Sequence, residues 1–112
     1  DKKEESPFIT EVKKVIESNL VNEQFGLNYL SKEMGMSHYQ LRKKIFSLTG
    51  LTPIKLINEY RINKAESLLR TSELNISEIA FEVGFSDPQY FNRVFVKTHG
   101  ISPFKYRSRL IN

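Results

Sequence analysis

The pattern of hydrophobic and polar positions predicts a helix in nearly every part of the chain. Apolar residues recur every three or four positions, which places them on one face of a helix. Seven such segments occur, and they begin near Pro7, Leu27, Ser37, Pro53, Ser77, Asp87 and Pro103. No stretch of the sequence alternates between apolar and polar residues as a strand would, and no hairpin dipeptide occurs. The pattern therefore predicts an all-α fold of about seven helices.

The fourth segment, from Pro53 to about residue 70, has the widest apolar stripe. Its apolar residues are Leu56, Ile57, Tyr60, Ile62, Ala65, Leu68 and Leu69. Since a stripe of this width cannot face a single neighbour, we predict a helix that is buried on more than one side. At about 1.5 Å per residue, such a helix would span roughly 25 Å.

Two parts of the chain repeat one another. With an offset of 49 residues, the matching pairs are Leu27/Ile76, Leu30/Ile79, Met34/Val83, Gly35/Gly84 and Ser37/Ser86. After one additional residue the offset is 50, and the pairs are Leu41/Phe91, Lys43/Arg93, Ile45/Phe95, Gly50/Gly100 and Pro53/Pro103. Two copies are too few for a solenoid, but they indicate a duplicated supersecondary unit.

Each copy has the pattern of a short helix, a glycine-centred turn and a second helix. Gly35 and Gly84 stand at the turns, where only glycine adopts a left-handed backbone without strain. Ser31 and Ala80 are small at the point where the first helix must approach the second. These features predict two helix-turn-helix units, at about residues 27–48 and 76–98, joined by a linker helix at about residues 53–70.

Length and composition limit the class of protein. The 112 residues suffice for one domain, or for two small subdomains that share a core. No apolar run approaches 18 residues, so the sequence predicts no membrane span. The absence of Cys excludes disulfides and thiolate metal sites, and it fits a reducing compartment such as the cytoplasm. Because the chain begins DKKEE without Met, we expect a piece of a longer protein, with residues 1–6 a linker or flexible tail.

The net charge of +4 is unevenly distributed along the chain. Residues 36–65 carry six Lys and Arg against one acidic residue, and residues 85–112 carry five against one. The two remaining segments are more acidic than basic. Two basic segments would give two positive surfaces, which suits a polyanion such as nucleic acid. Chance variation in the charge of solvated faces would produce the same counts, so charge alone leaves both explanations open.

The outer faces of the two second helices carry polar, basic and aromatic side chains. The positions off the apolar stripe are His38, Tyr39, Gln40, Arg42, Lys43 and Lys44 in the first copy, and Gln89, Tyr90, Asn92, Arg93 and Lys97 in the second. Arg and Lys suit the major-groove edge of guanine, and Gln and Asn suit that of adenine. The polar face of an ordinary amphipathic helix would explain one copy, but its repetition behind a second glycine corner favours duplex DNA.

Catalytic motifs are absent from the sequence. His38 and His99 lie far apart, and the sequence has no HExxH pair, GxxxxGK loop or GxSxG elbow. We therefore predict neither an enzyme nor a metal or cofactor site. A helix-turn-helix used for protein or RNA binding is the alternative, since fold alone does not settle function. Such a protein-docking face would carry apolar or acidic residues, and RNA recognition would use aromatic platforms, of which Tyr39 and Tyr90 are only two.

The stretch ISEIAFEVGFSDPQYFNRVFVKTHGISPFKYR, residues 76–107, resembles the signature of the DNA-binding domain of AraC/XylS-type bacterial transcription regulators. The likeness includes the closing Pro-x-x-Tyr-Arg at Pro103 to Arg107 and extends over about residues 8–107. The stretch GMSHYQLRKKIFSLTGLTPIKLINEYRINKAESLL is similar to versions that end hybrid two-component regulators, where sensor, kinase, receiver and this domain share one polypeptide. The resemblance implies that residues 7–112 form this domain.

The resemblance also implies a function. Its two second helices would read successive major-groove segments of double-stranded DNA, about 34 Å apart. A full-length hybrid regulator would activate genes for carbohydrate utilisation together with RNA polymerase, and it would carry a histidine kinase elsewhere in the chain. It would dimerise through upstream domains and be anchored in the inner membrane with this domain in the cytoplasm. The isolated domain would be a monomer.

The resemblance assigns base-reading roles by position. The residues that match the family's base-reading positions are Tyr39, Arg42 and Lys43, with His38 and Gln40 as neighbours, and then Gln89, Tyr90, Asn92 and Arg93. For the phosphates we select Ser37, Lys44 and Lys97, because helix N-termini and nearby basic or hydroxyl side chains usually make those contacts.

Three residues depart from the family pattern. Val96 stands where Lys is usual, which removes one candidate phosphate contact. Phe46 stands where Lys is frequent, and we expect it to pack against the fourth helix, with contact to a partner subunit as the alternative. His99 stands where an aromatic ring commonly packs before Gly100, and we expect a partly buried structural histidine.

Overall fold

The computed structural model describes residues 6–111, which form seven α-helices and no strand within that range. The helices are α1 (Pro7–Ser18), α2 (Leu27–Met34), α3 (His38–Thr49), α4 (Pro53–Thr71), α5 (Ile76–Glu82), α6 (Pro88–His99) and α7 (Pro103–Ile111). The pairs α2–α3 and α5–α6 are the two helix-turn-helix units, and α4 joins them, so the predicted all-α fold is confirmed. Of the predicted N-terminal tail, residues 1–5 lie outside the described residues, and Ser6 is the N-cap of α1.

Two helices begin with reciprocal side-chain caps. At the start of α3, Ser37 Oγ accepts from the backbone N–H of Gln40, and Gln40 Oε1 accepts from the backbone N–H of Ser37. At the start of α5, Asn75 and Glu78 make the same pair of hydrogen bonds, both 2.8 Å long. A cap of this kind typically contributes about 1 kcal/mol, because it satisfies backbone donors that the helix leaves free. The Asn75 cap starts α5 one residue earlier than predicted.

Two hydrophobic clusters form the core, one for each helix-turn-helix unit. The first consists of Val12, Val15, Ile16, Leu20, Phe25, Leu30, Leu41, Ile45, Leu56 and Ile57. The second consists of Ile62, Ala65, Leu69, Ile79, Ala80, Val83, Phe85, Phe91 and Phe95. Helix α4 contributes residues to both clusters, which confirms that it is buried on more than one side. Helix α4 therefore connects the two units through both of their cores.

The two turn glycines both adopt the predicted left-handed backbone, with φ of 66° at Gly35 and 103° at Gly84. Their surroundings differ. A Cβ added at Gly35 would meet no described atom within 4 Å. A Cβ added at Gly84 would lie 2.0 Å from the backbone oxygen of Leu20 and 2.7 Å from Arg61 Nε. The second turn is therefore packed directly against the chain that follows α1, whereas the first turn is open.

A buried arginine connects that chain segment to α4. Arg61 Nε donates to the backbone oxygen of Leu20 at 3.4 Å, and Nη2 donates to that of Asn22 at 3.2 Å. Its guanidinium Cζ also lies 5.8 Å from the ring centre of Phe85, the residue after the second turn. Burial lowers the pKa of Arg61, and Tyr90 raises it in part. The guanidinium stays charged nonetheless, because the pKa of arginine starts far above neutrality.

The closing helix α7 completes the second cluster. Arg107 donates to the backbone oxygens of Leu69 at 3.1 Å, Ser72 at 3.1 Å and Leu74 at 2.6 Å, which satisfies carbonyls at and beyond the end of α4. The ring of His99 lies 4.4 Å from that of Phe95, and its Nε2 contacts a carboxylate oxygen of Glu66. His99 is therefore the partly buried structural histidine that we expected.

Candidate nucleic-acid interface

Both predicted reading faces point away from the core. On α3, Leu41 and Ile45 have no exposed surface and hold the helix against the first cluster, and on α6 Phe91 and Phe95 do the same in the second. All of the predicted base-reading residues are exposed: His38, Tyr39, Gln40, Arg42, Lys43, Gln89, Tyr90, Asn92 and Arg93. The predicted phosphate contacts Ser37, Lys44 and Lys97 are exposed as well.

The two faces have the same helical register. Tyr39, Arg42 and Lys43 are the second, fifth and sixth residues of α3, and Gln89, Asn92 and Arg93 are the second, fifth and sixth residues of α6. Residues three or four positions apart lie on one side of a helix, so each set forms a continuous strip along the outer face. The duplicated sequence thus produces two matching strips of hydrogen-bonding side chains.

The capping box limits what Gln40 can do. Reading adenine through Gln requires both the amide oxygen and the amide nitrogen. The Gln40 oxygen already accepts from the backbone N–H of Ser37, so a bidentate contact with adenine would have to use its second lone pair while the cap holds its position. Ser37 is different, because its hydroxyl accepts within the cap and keeps its proton to donate to a phosphate. The Ser-x-x-Gln spacing at the start of α3 would have signalled this cap from sequence.

The two tyrosines of the reading faces have different surroundings. Tyr39 is 69% exposed, and the Lys43 ammonium lies 5.7 Å from its ring centre. Tyr90 is only 38% exposed, its ring lies 5.7 Å from that of Phe85, and its hydroxyl accepts from Asn58 Nδ2 of α4 at 3.0 Å. Arg93 Cζ lies 5.7 Å from the Tyr90 ring. Tyr90 therefore forms part of the support for Arg93, and Asn58 is a supporting residue that no sequence signal identified.

A groove of about 490 Å³ lies between the start of α4 and α6. Lys55, Arg93 and Lys97 line it together with the single acidic residue Glu59. A cationic groove beside a reading helix suits the phosphate backbone that borders a major-groove segment. Lys44 has a different setting, because its ammonium lies 4.5 Å from the ring centre of Phe8 in α1.

Two apolar residues of α3 are more exposed than the sequence predicted. Phe46 is 58% exposed and lies outside both core clusters, so the expected packing against α4 is wrong. The reason is helical register: Phe46 is the ninth residue of α3 and falls on the same outer strip as Arg42 and Lys43. Leu48, whose spacing from Leu41 and Ile45 predicts a place on the apolar stripe of this helix, is 47% exposed at the last turn.

The part of the chain that the structure describes has neither a metal-binding cluster nor a membrane-spanning helix. No three His, Asp or Glu side chains in residues 6–111 are grouped so that they could hold a metal ion. No helix in that part of the chain has the length and apolar character needed to cross a bilayer.

A family of helix-turn-helix domains matches residues 30–109, which include α3 and α6. Two solved structures superpose closely. The C-terminal domain of the two-component response regulator YesN from Fusobacterium nucleatum is 33% identical, with a TM-score of 0.86, over 91% of this chain and 99% of that one. The DNA-binding domain of AdpA, a global transcriptional factor solved with a target DNA, is 30% identical, with a TM-score of 0.84, over 93% of each chain.

Two curated relatives are longer proteins. Histidine kinase P4 of Formosa agariphila is 41% identical over 96 residues, which are 86% of this chain and 7% of that protein. The transcriptional activator RhaS of Escherichia coli O1:K1 / APEC is 39% identical over 83 residues, which are 74% of this chain and 27% of that protein. The chain thus spans well under a third of either relative. It belongs to the helix-turn-helix family and is an AraC/XylS-type DNA-binding domain of a transcription regulator.

Proposed function

We propose that this chain reads a specific sequence in double-stranded DNA by placing α3 and α6 in successive major-groove segments on one face of the duplex. The observation that carries the proposal is the matching register of the two exposed strips on α3 and α6. The Cα atoms span 44 × 37 × 21 Å, which leaves room for two reading helices about one helical repeat of 34 Å apart. The groove between α4 and α6 would lie along the phosphates beside the second segment.

Named roles follow from the positions on the strips. Arg42, Lys43 and Arg93 would read guanine, and Asn92 and Gln89 would read adenine. His38, Tyr39, Gln40 and Tyr90 would complete the reading faces, with Gln40 limited by its cap and Tyr90 by its contact with Asn58. Ser37, Lys44 and Lys97 would contact phosphates.

The whole protein is proposed to be a hybrid two-component activator of carbohydrate-utilisation genes. Support comes from the relatives, which include a histidine kinase, the C-terminal domain of a response regulator and a transcriptional activator. We propose that the kinase and a receiver precede this domain, that the full chain dimerises through those parts, and that the domain works with RNA polymerase. The domain alone would be a monomer on the cytoplasmic side of an inner-membrane protein.

The experiment that tests sequence-specific reading is selection of bound duplexes from a randomised pool by residues 1–112, at two salt concentrations. We expect two short enriched blocks about one helical turn apart. A single enriched block would contradict reading by both helices. No enrichment, with binding that weakens steeply in salt, would mean that the domain binds phosphate without choosing sequence.

Arg93 supplies a second test of the same proposal. The change Arg93→Ala should weaken binding to the selected duplex by about 1–3 kcal/mol and relax the preference at one base pair. The matched control is Arg109→Ala, which removes the same charge from an exposed position on α7. Titrations on selected and random duplexes separate the two roles, since equal losses on both would make Arg93 a phosphate contact.

A further inference from the structure

On both α3 and α6, the strip of hydrogen-bonding side chains is followed, toward the C-terminus of the helix, by one exposed apolar side chain. Phe46 is the ninth residue of α3 and is 58% exposed, and Val96 is the ninth residue of α6 and is 37% exposed. Phe46 comes three positions after Lys43, and Val96 comes three positions after Arg93, the matching basic residue of the second strip. A rise of about 1.5 Å per residue places each apolar group roughly 4.5 Å further along the same outer face.

A role in the protein's own core does not explain these two residues. Both lie outside the two buried clusters, and α3 and α6 each bury two other apolar residues, one on each inward turn. Single exposed apolar residues are common on protein surfaces and need no explanation by themselves. The recurrence distinguishes these two, because the same position is apolar in both copies, while the strip residues three and four positions before it are Arg42 and Lys43 in α3 and Asn92 and Arg93 in α6.

The floor of a major groove offers one apolar group, the C5-methyl of thymine. Where the strip that reads guanine and adenine faces that floor, an apolar side chain can pack against such a methyl, whereas the longer Lys that is usual at position 96 would extend to a phosphate. We propose that Phe46 and Val96 are specificity-determining residues that contact thymine methyl groups about 4.5 Å, or roughly one base pair, beyond the bases read by Lys43 and Arg93. The inference rests on the proposed function, since it requires both strips to lie in the major groove.

The test replaces single thymines of the selected duplex by deoxyuridine, which lacks only the C5-methyl. In each enriched block, one thymine should be sensitive, and its replacement should weaken binding about four-fold, the effect expected for one buried methyl. For Phe46→Ala, affinity for the unmodified duplex should fall, and deoxyuridine at the sensitive thymine of the α3 block should cause no further loss. Val96→Ala should behave in the same way at the α6 block.

The control is Phe81→Ala, which removes an exposed phenyl ring from α5, outside both strips, and should leave the methyl sensitivity unchanged. Thermal unfolding of each variant checks that the fold is intact, because both target side chains are exposed. Sequence-selective binding without any deoxyuridine-sensitive thymine would overturn this inference and leave the proposed function standing. Equal deoxyuridine losses in the wild type and the Ala variants would also overturn it. Absence of any sequence selection would overturn both.

Discussion

The two helix-turn-helix units share a sequence pattern but are anchored differently. The first turn is open around Gly35, whereas the second turn has no room for a Cβ at Gly84, because the Leu20 backbone oxygen and Arg61 enclose it. Arg61 donates hydrogen bonds to the segment after α1, and its guanidinium lies near the ring of Phe85. It therefore connects the second helix-turn-helix unit to the chain that follows α1. Duplication therefore produced two turns with the same backbone hydrogen bonds, and the glycine of the second turn is in addition enclosed by tertiary contacts.

The reading faces show the same contrast. On α6, Arg93 lies beside Tyr90, whose hydroxyl is held by Asn58 of α4. On α3, Lys43 lies beside Tyr39, which is 69% exposed. A side chain that is already oriented loses less conformational entropy on binding. We infer that the second face is the more preorganised of the two, and that the first adapts more to the DNA.

The largest expected effect concerns the turns. The change Gly84→Ala should lower the free energy of unfolding by about 4 kcal/mol, because it adds a clash with backbone to the cost of a left-handed alanine. The matched change Gly35→Ala should cost about 1 kcal/mol, since only the backbone strain applies. Urea denaturation of both variants measures the difference. Equal losses would contradict the account of the enclosed second turn.

The next effect concerns the connection between the subdomains. The change Arg61→Met should lower the free energy of unfolding by about 2 kcal/mol, because it leaves the backbone oxygens of Leu20 and Asn22 without their donor. The control Arg70→Met removes an exposed arginine of the same helix, whose contact with Glu66 is 3.9 Å, and should change stability by less than about 0.5 kcal/mol. A similar result for both variants would mean that Arg61 does not stabilise the connection.

The smallest effect separates the two tyrosines. The change Tyr90→Phe removes the acceptor of the Asn58 hydrogen bond and should lower stability by about 1 kcal/mol. Tyr39→Phe removes a hydroxyl from a largely exposed ring and should have an effect below about 0.5 kcal/mol. Thermal or urea unfolding of the pair, without DNA, reports the comparison. The opposite ranking would contradict the preorganised second face.

The fold was predictable because its signals are local. Apolar spacing, the cap at Ser37 and the repeated turn glycines Gly35 and Gly84 lie within single turns of chain, and each indicates the same arrangement. Asn75 is a local N-cap signal as well, and it begins α5 at Ile76 instead of Ser77. The repeat in the sequence then predicts that the helices form two similar units on either side of α4.

The supporting contacts were not predictable from sequence. Asn58 and Tyr90 are 32 residues apart, and Arg61 and Leu20 are 41 residues apart, so their pairing depends on how α4 is rotated between the two clusters. Phe46 is a different case. The helical register that begins at the Ser37 cap places Phe46 on the outer face of α3, and this register is inconsistent with the predicted packing against α4.

The central claim is that both reading helices engage one duplex at the same time, held at a fixed spacing by α4. The most direct measurement compares affinity for the selected duplex with affinity for a duplex in which the second block is displaced by about five base pairs, half a helical turn. We predict that the displaced duplex binds no better than one whose second block is scrambled. Undiminished affinity for the displaced duplex would show that the two helices do not read the DNA together.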